Sequence, residues 1–342
     1  VPPLRMDERR RLDQRRHPFY KHSEAAFFLA YQDNLAVGRL AILDNRLHNQ
    51  HNNDKTAFFY LFESENDPAI AIALFETAFA WIKGRGLNRV FGPRGFTALD
   101  GLGLLVKGFE RRPALGLPYN PPYYPGMIES AGFHPEEDIV SGYLNVDIKF
   151  PERIQELASR IQERRGLQVI RFSTRRELHE ALHFLKELYN EILKGVNGGT
   201  PITDAEIQDL ASQLVWIADP SLIKIVMKDQ RPVGFLLAYP DISGAFRSVQ
   251  GRLFPFGWIK ILLESRRTDW ININGAGMLP EFQGLGGTAI LYSELFASVK
   301  LNSRYRHAEI VQIGMQNDRM KREMENFGVD FYKIHRTYSR NL

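Results

Sequence analysis

A strand that runs into a glycine junction and then a helix is the feature that most limits this chain. WININGAGM (270–278) reads as a strand and YSELFASVK (292–300) as a helix; Gly284, Gly286 and Gly287 of LPEFQGLGGTAIL (279–291) lie between them. Such a handover builds an α/β sheet, with the helix returning across one face. Glycines let the backbone approach a ligand without Cβ obstruction. The helix aims its partial positive charge at the same spot. Together they make a seat for a phosphate or pyrophosphate. No Gly-Lys-Ser/Thr follows, so this is not a Walker loop, and Ala289 stands where the dinucleotide fingerprint needs a third glycine.

The 342 residues suggest two domains of roughly 150 residues each. Hydrophobic content of 44% and charged content of 25% are those of an ordinary soluble chain. The longest apolar run, AIAIALFETAFAWI (69–82), is interrupted by Glu76 and is shorter than the roughly 20 residues of a membrane span. It is expected to be a buried helix, and no membrane partner is expected. There is no cysteine, which excludes disulfides, thiolate metal sites and a cysteine nucleophile. Nothing then argues for an oxidising compartment, so a cytoplasmic protein without a metal is expected. No apolar segment follows the basic N-terminus, so no signal peptide is expected.

The net charge is +4, and residues 1–21 alone carry that sum through Arg5, Arg9, Arg10, Arg11, Arg15, Arg16 and Lys21 against Asp7, Glu8 and Asp13. The rest is neutral overall. A basic arm can bind nucleic acid or an anionic membrane, but nothing in the remaining chain continues it, so a short, solvated, salt-bridged helix is expected and nucleic acid is not.

Two strands are expected in 25–43 around Gln32-Asp33-Asn34, then a polar loop (44–56), a strand (57–64) and a helix (66–86) with Asp67 as cap. A strand (88–93), a long glycine- and proline-rich stretch (92–122) and a short helix (123–133) follow. A polar helix at 150–166 is read as a linker, which divides the chain into 1–149 and 167–342. The second part repeats the order. It has a strand (167–172), two helices, a hairpin (222–240), a partly helical insertion (241–267), the strand–glycine–helix unit, a strand (307–315), a short helix (317–327) and terminal strands. In each half an Asn precedes the short helix and a Gly ends it: Asn120 to Gly132, Asn317 to Gly328. This internal repeat points to one fold in tandem.

LPEFQGLGGT resembles the acetyl-CoA loop of the GNAT acyltransferase superfamily, whose signature is Gln/Arg-x-x-Gly-x-Gly/Ala after Pro-x-x. Pro280, Gln283, Gly284 and Gly286 match, and Thr288 replaces the last Gly/Ala. The resemblance covers about 168–340; the first half shares element order only, and its equivalent loop, FESENDPAIA (62–71), is acidic and glycine-free. The resemblance implies an α/β protein of two GNAT-like domains, each a mixed sheet flanked by helices, the first degenerate. It implies acetyl-CoA or another acyl-CoA bound by Met278, Leu279, Gln283, Gly284, Leu285, Gly286, Gly287, Thr288 and Asn317. An amide near Met278 or Leu279 would face the thioester carbonyl. A small-molecule or peptide amine would attack the thioester directly. The family usually places a tyrosine acid seven residues after the Asn; here that residue is Met324, and a tyrosine there is expected to be tolerated. With a thiol pKa of roughly 8.5 the thiolate can leave unprotonated. Asn317 and Tyr332 are the catalytic candidates, with His335 a nearby alternative.

Asp241, Tyr123 and Tyr124 are acceptor-site candidates; a turn residue and helix packing are the competing readings. His48 and His51 lack a third ligand and are read as polar surface. Two other functions fit the same residues: a non-catalytic acyl-CoA-binding protein, motivated by Met324, and a FemX-like aminoacyl transferase, motivated by the doubling and the basic arm.

Overall fold

The computed structural model describes residues 1–97, 100–146, 152–193, 199–214, 217–283 and 286–342. Helix α1 (Arg5–Leu12) precedes the hairpin β1 (Glu24–Gln32) and β2 (Leu35–Asp44). Asp33 and Asn34 both have positive φ, as a two-residue hairpin turn requires. The segment expected as a polar loop contains α2 (Arg46–Asn52), because Asn45 caps it by accepting the His48 amide. Then come β3 (Thr56–Ser64), α3 (Pro68–Lys83), β4 (Arg89–Gly92), β5 (Leu104–Lys107), α4 (Tyr124–Ser130) and β6 (His134–Asn145). The short β5 was not expected within the glycine-rich stretch.

The second half contains α5 (Glu152–Arg165), β7 (Leu167–Arg171), α6 (Arg175–Glu180), α7 (Leu182–Leu193), α8 (Asp204–Leu214), β8 (Lys224–Lys228) and β9 (Arg231–Pro240). The insertion forms α9 (Ser243–Val249) and α10 (Gly257–Arg267). β10 (Trp270–Met278), α11 (Gly287–Leu301), β11 (His307–Gly314), α12 (Asp318–Asn326) and β12 (Asp330–Asn341) complete the chain. The expected domain boundary at 149/150 lies outside the described residues.

Among the described residues twelve strands form one mixed sheet in the order β1-β2-β3-β4-β12-β6-β11-β10-β9-β8-β7, with β5 beside β12. The two halves exchange their last strands. β6 of the first half pairs with β11 of the second, and β12 of the second pairs with β4 of the first. β6 and β12 pair antiparallel between them. Neither half can close its sheet alone. One apolar core gathers around α3 and α4, and a second around α11 and the strands beneath it.

The N-terminal arm is docked rather than solvated. Arg10 pairs with Asp209, Arg11 with Asp100 at 2.7 Å, and Glu8 with Arg39 at 3.3 Å. Leu4 is buried beside Ile242 and Ile261. The arm therefore clips both halves together, and two of its arginines are committed to carboxylates. Among the described residues no helix is long and apolar enough to cross a membrane.

Candidate functional site

Strands β10 and β11 run parallel only over 270–273 and 307–310. A bulge between Ile273 and Gly275 turns β10 away, and among the described residues nothing pairs the two strands beyond it. The Leu279 N–H donates to the Val233 carbonyl at 2.9 Å. By the alternation of an antiparallel ladder, the amides of Ala276 and Met278 face the open edge. The Leu279 amide is therefore spent on β9, and of the two only the Met278 amide faces the open edge. At the end of β10 the Gln283 side chain donates to the Met278 carbonyl at 3.1 Å, fixing the loop. Gly284 and Leu285 lie outside the described residues.

Gly286 is the N-cap of α11, with φ +83°, and no side chain caps the helix. A Cβ there would lie 2.1 Å from Ile161 Cδ1 of α5, and one on Gly287 would lie 2.5 Å from Met278 Cε. The two glycines are thus required by close approach: α5 on one side, the end of β10 on the other. Thr288 follows in the first turn. Among the described residues the amides of this turn have no side-chain acceptor, the condition in which a helix N-terminus can receive an anion.

The first half shows the opposite arrangement at the same topological place. β3 and β4 also pair only at their start, over 56–58 and 89–91. Beyond it, the Ser64 amide donates to the Tyr124 hydroxyl, Glu65 N–H to the Val37 carbonyl, and Ala69 N–H to the Asp67 carboxylate. Tyr123 donates to the Ser64 carbonyl at 3.0 Å. The tyrosines considered for an acceptor site thus staple α4 to β3, and the junction amides are consumed.

A second group of polar side chains lies beside the open cleft of the second half. Asn272 of β10 is in register with Tyr239 of β9 and Glu309 of β11. These alternate with Ile271, Ile273, Ala308 and Ile310, which face α11, so the polar set occupies the other sheet face. Lys333 of β12 reaches the same place and donates to Glu309 Oε1 at 2.5 Å. Residues 108–118 cover it. Arg112 Nη2 donates to Asp241 Oδ1 at 2.7 Å while its guanidinium lies over the Trp270 ring. Leu115 N–H donates to Asp241 Oδ2 at 3.3 Å. His335 Nε2 lies 3.0 Å from the Pro118 carbonyl oxygen. Asp241 also accepts the Ser243 amide at 2.8 Å, so it joins the cluster and serves as a turn residue at once.

This cluster is not satisfied internally. Arg112 Nη1, Ser243 Oγ and His335 Nδ1 are buried without a hydrogen bond to the described residues, and the Asn272 amide and Glu309 Oε2 have only the Tyr239 and Tyr332 hydroxyls facing them, outside normal hydrogen-bond geometry. Buried polar atoms are usually paired, so several orphans in one place mark a site that takes polar ligand atoms or water. Burial pushes the Glu309 carboxyl up, and Lys333 pulls it back in part. Burial pushes the Lys333 ammonium down, against the pull of Glu309. Among the described residues no group of three or more His, Asp or Glu could hold a metal.

No family model matches the chain. A tandem GNAT protein from the clavulanic acid biosynthesis pathway superposes with a TM-score of 0.52, at 10% identity, over 95% of this chain and 84% of its own. A GCN5-related glucosamine N-acetyltransferase region of a fungal multi-domain β-N-acetylglucosaminidase gives 0.55 at 13% identity, covering 99% of this chain and 35% of that one. The fold is the tandem GNAT fold. In sequence the chain is 26% identical to protein YghO of Escherichia coli K12 over its whole length and 88% of that protein. It is 27% identical to a bacterial ceramide synthase of Caulobacter vibrioides, over its whole length and 90% of that protein.

Within the GNAT frame the expected catalytic side chains separate. Asn317 is the exposed N-cap of α12 and accepts the Met320 amide at 3.1 Å. Met324 is fully buried in the core under α12. Tyr332 is half-buried with Arg111 over its ring, and its phenol is pushed up by burial and then by Glu309. It therefore borders the polar cluster. Sequence reasoning missed Glu309, Lys333, Asn272 and Arg112. For the three strand residues the one signal was a charge or amide inside a strand, such as Glu309 in HAEIVQIGM; Arg112, in the glycine- and proline-rich stretch, gave none.

Proposed function

We propose that this protein is an acyltransferase that joins the acyl group of a CoA thioester to an amine. The observation that carries this reading is the uncapped glycine junction beside the splayed edge of β10, with its first-half counterpart closed. The pyrophosphate would sit on the first turn of α11, with Gln283, Gly286, Gly287 and Thr288 around it and Asn317 on the far side. Pantetheine would pair with the edge amides of Ala276 and Met278 as an added strand. The Met278 amide would then donate to the thioester oxygen as negative charge develops on it.

The polar cluster beside the cleft would receive the acceptor head group. The amine nitrogen attacks the thioester carbon, a C–N bond forms, the C–S bond breaks, and the electron pair leaves on the CoA sulfur. The amine proton passes to Glu309, whose raised basicity suits a general base. Tyr332 would remain protonated and can donate to the leaving sulfur. Likeness to a ceramide synthase favours a long-chain amino alcohol as acceptor, since a ceramide is the amide of one. Two arginines of the arm, Arg10 and Arg11, are tied to Asp209 and Asp100, which weakens the basic-arm motive for aminoacyl transfer.

The test is to incubate the protein with acetyl-CoA or palmitoyl-CoA and either a long-chain amino alcohol or a short diamine. Free CoA thiol is followed in the assay and the amide by mass spectrometry. Amide formation with a long-chain amine supports the full reading. Tight binding of CoA esters with no amide from any amine would establish the alternative, a CoA-ester-binding protein, which the buried Met324 in the place of the family acid favours.

A further inference from the structure

The insertion between β9 and β10 leaves an unusual surface. Phe254 is 79% exposed, Phe256 69% and Trp258 48%. Ile259 and Leu263 extend the patch along α10, one turn apart on its outer side. The inner side is held by Ile261 and Ser265, both buried. Burial of Ile261 with Ile242, Ala245, Val249 and Leu4 fixes the helix to the body, so the outer residues are presented by a rigid base. The same insertion carries five exposed cations, Arg247, Arg252, Lys260, Arg266 and Arg267, three of them on α10 itself. Among the described residues none of the five is in an ion pair. The neutral sum of the chain after residue 21 concealed this local charge.

We propose that the insertion is a membrane-interface anchor that docks on an anionic phospholipid surface. Aromatic rings at headgroup depth, aliphatic side chains beneath them and a rim of unpaired Lys and Arg are what an in-plane interfacial helix presents. The cations complement the negative surface potential of anionic lipid. A protein interface would instead place few charges so close to its apolar centre. The anchor does not span the bilayer, so it is consistent with the absence of a spanning helix. It also sits next to the chemistry. Leu115, whose N–H donates to Asp241 of the cluster, packs on the same platform. Docking would set the polar cluster beside the headgroup layer, where an amphiphilic amine resides. The surface proposal itself stands whether or not acyl transfer is the reaction.

Flotation of the full chain with vesicles tests it. Phosphatidylcholine vesicles containing about 30% phosphatidylglycerol are compared with phosphatidylcholine alone. The wild type is expected to float with the anionic vesicles and to bind the neutral ones about tenfold less tightly or worse. Phe254→Ser with Phe256→Ser should abolish flotation, and Arg266→Glu with Arg267→Glu should remove the preference for anionic lipid. These positions are exposed, so unchanged thermal melting confirms the fold of each variant. Acetyl-CoA binding by calorimetry should be the same in all, which separates failure of the anchor from failure of the enzyme reading. Wild type that does not float, or aromatic variants that float like wild type, would overturn the proposal. So would a solution dimer that the aromatic substitutions dissolve, because the patch would then belong to a second copy of the chain.

Discussion

Lys333 Nζ donates to Glu309 Oε1 at 2.5 Å, and the side chains are 2% and 0% exposed. Both residues belong to the second half, and the pair reaches across β6 of the first half, which lies between β12 and β11. A buried pair is held against the cost of removing both charges from water, and losing one partner leaves the other stranded. Glu309→Gln is therefore expected to cost about 3–5 kcal/mol of unfolding free energy in urea titration. Glu309→Gln with Lys333→Met removes both charges and should recover much of that loss. In the stable double variant, acyl transfer should fall by about 10²–10⁴ while CoA-ester binding persists. A double variant with wild-type turnover would remove Glu309 from the role of base.

Gly286 has a left-handed backbone and faces Ile161 across α5. Gly286→Ala is thus hindered twice, by its φ and by the isoleucine. It should lose about 1–3 kcal/mol of stability. Ile161→Ala clears the second obstacle and should by itself leave acetyl-CoA affinity within about twofold. Adding Gly286→Ala to it should weaken acetyl-CoA about tenfold or more by calorimetry. Equal affinity in the two would move the pyrophosphate away from α11.

The tandem α/β architecture was legible because it rests on local signals: a 3.6-residue or two-residue period, capped helices at Asp67 and Asn317, and positive-φ turns at Asp33-Asn34 and Asp229-Gln230. The glycine junction was legible because close backbone approach permits few other residues. Strand exchange was not, since the order of elements is identical with and without it; only long-range pairing distinguishes β4-β12-β6-β11 from its unexchanged alternative. The polar cluster depends on that pairing, so Glu309 and Lys333 read separately as odd charges in strands. The outward face of FPFGWIKILL was hidden for another reason. Apolar composition there looks the same whether a helix turns its side chains to the core or to the outside.

Met324 is fully enclosed by core side chains. The expectation that tyrosine would be tolerated there is revised: Met324→Tyr overpacks the core and should cost about 1–3 kcal/mol. Met324→Ala leaves a cavity and should cost about 2–5 kcal/mol. Neither should change the shape of the pH–rate profile, because no atom at this position meets the cleft. A descending alkaline limb that disappears in Tyr332→Phe would assign the proton donor to Tyr332.

His335 supplies the acid sensitivity with the clearest sign. Its side chain is fully buried, its Nε2 faces the Pro118 carbonyl oxygen, and burial lowers its pKa from 6.5 to about 4. The unfolded chain takes up this proton below about pH 6.5, and the folded chain resists it until about pH 4. Unfolding thus binds a proton in that window, so stability rises with pH across it and falls on acidification, by up to about 3 kcal/mol for this group. His17 and His48 are lowered to about 4 by burial and act in the same direction. Glu309, pushed up by burial, acts in the opposite one, so the comparison is between wild type and variant at each pH. His335→Gln keeps a side-chain N–H for the Pro118 carbonyl but has no proton to gain. Its loss of unfolding free energy between about pH 7 and pH 5 should be smaller than that of wild type by about one proton's linkage. Parallel curves for the two would mean that His335 is already charged in the folded protein.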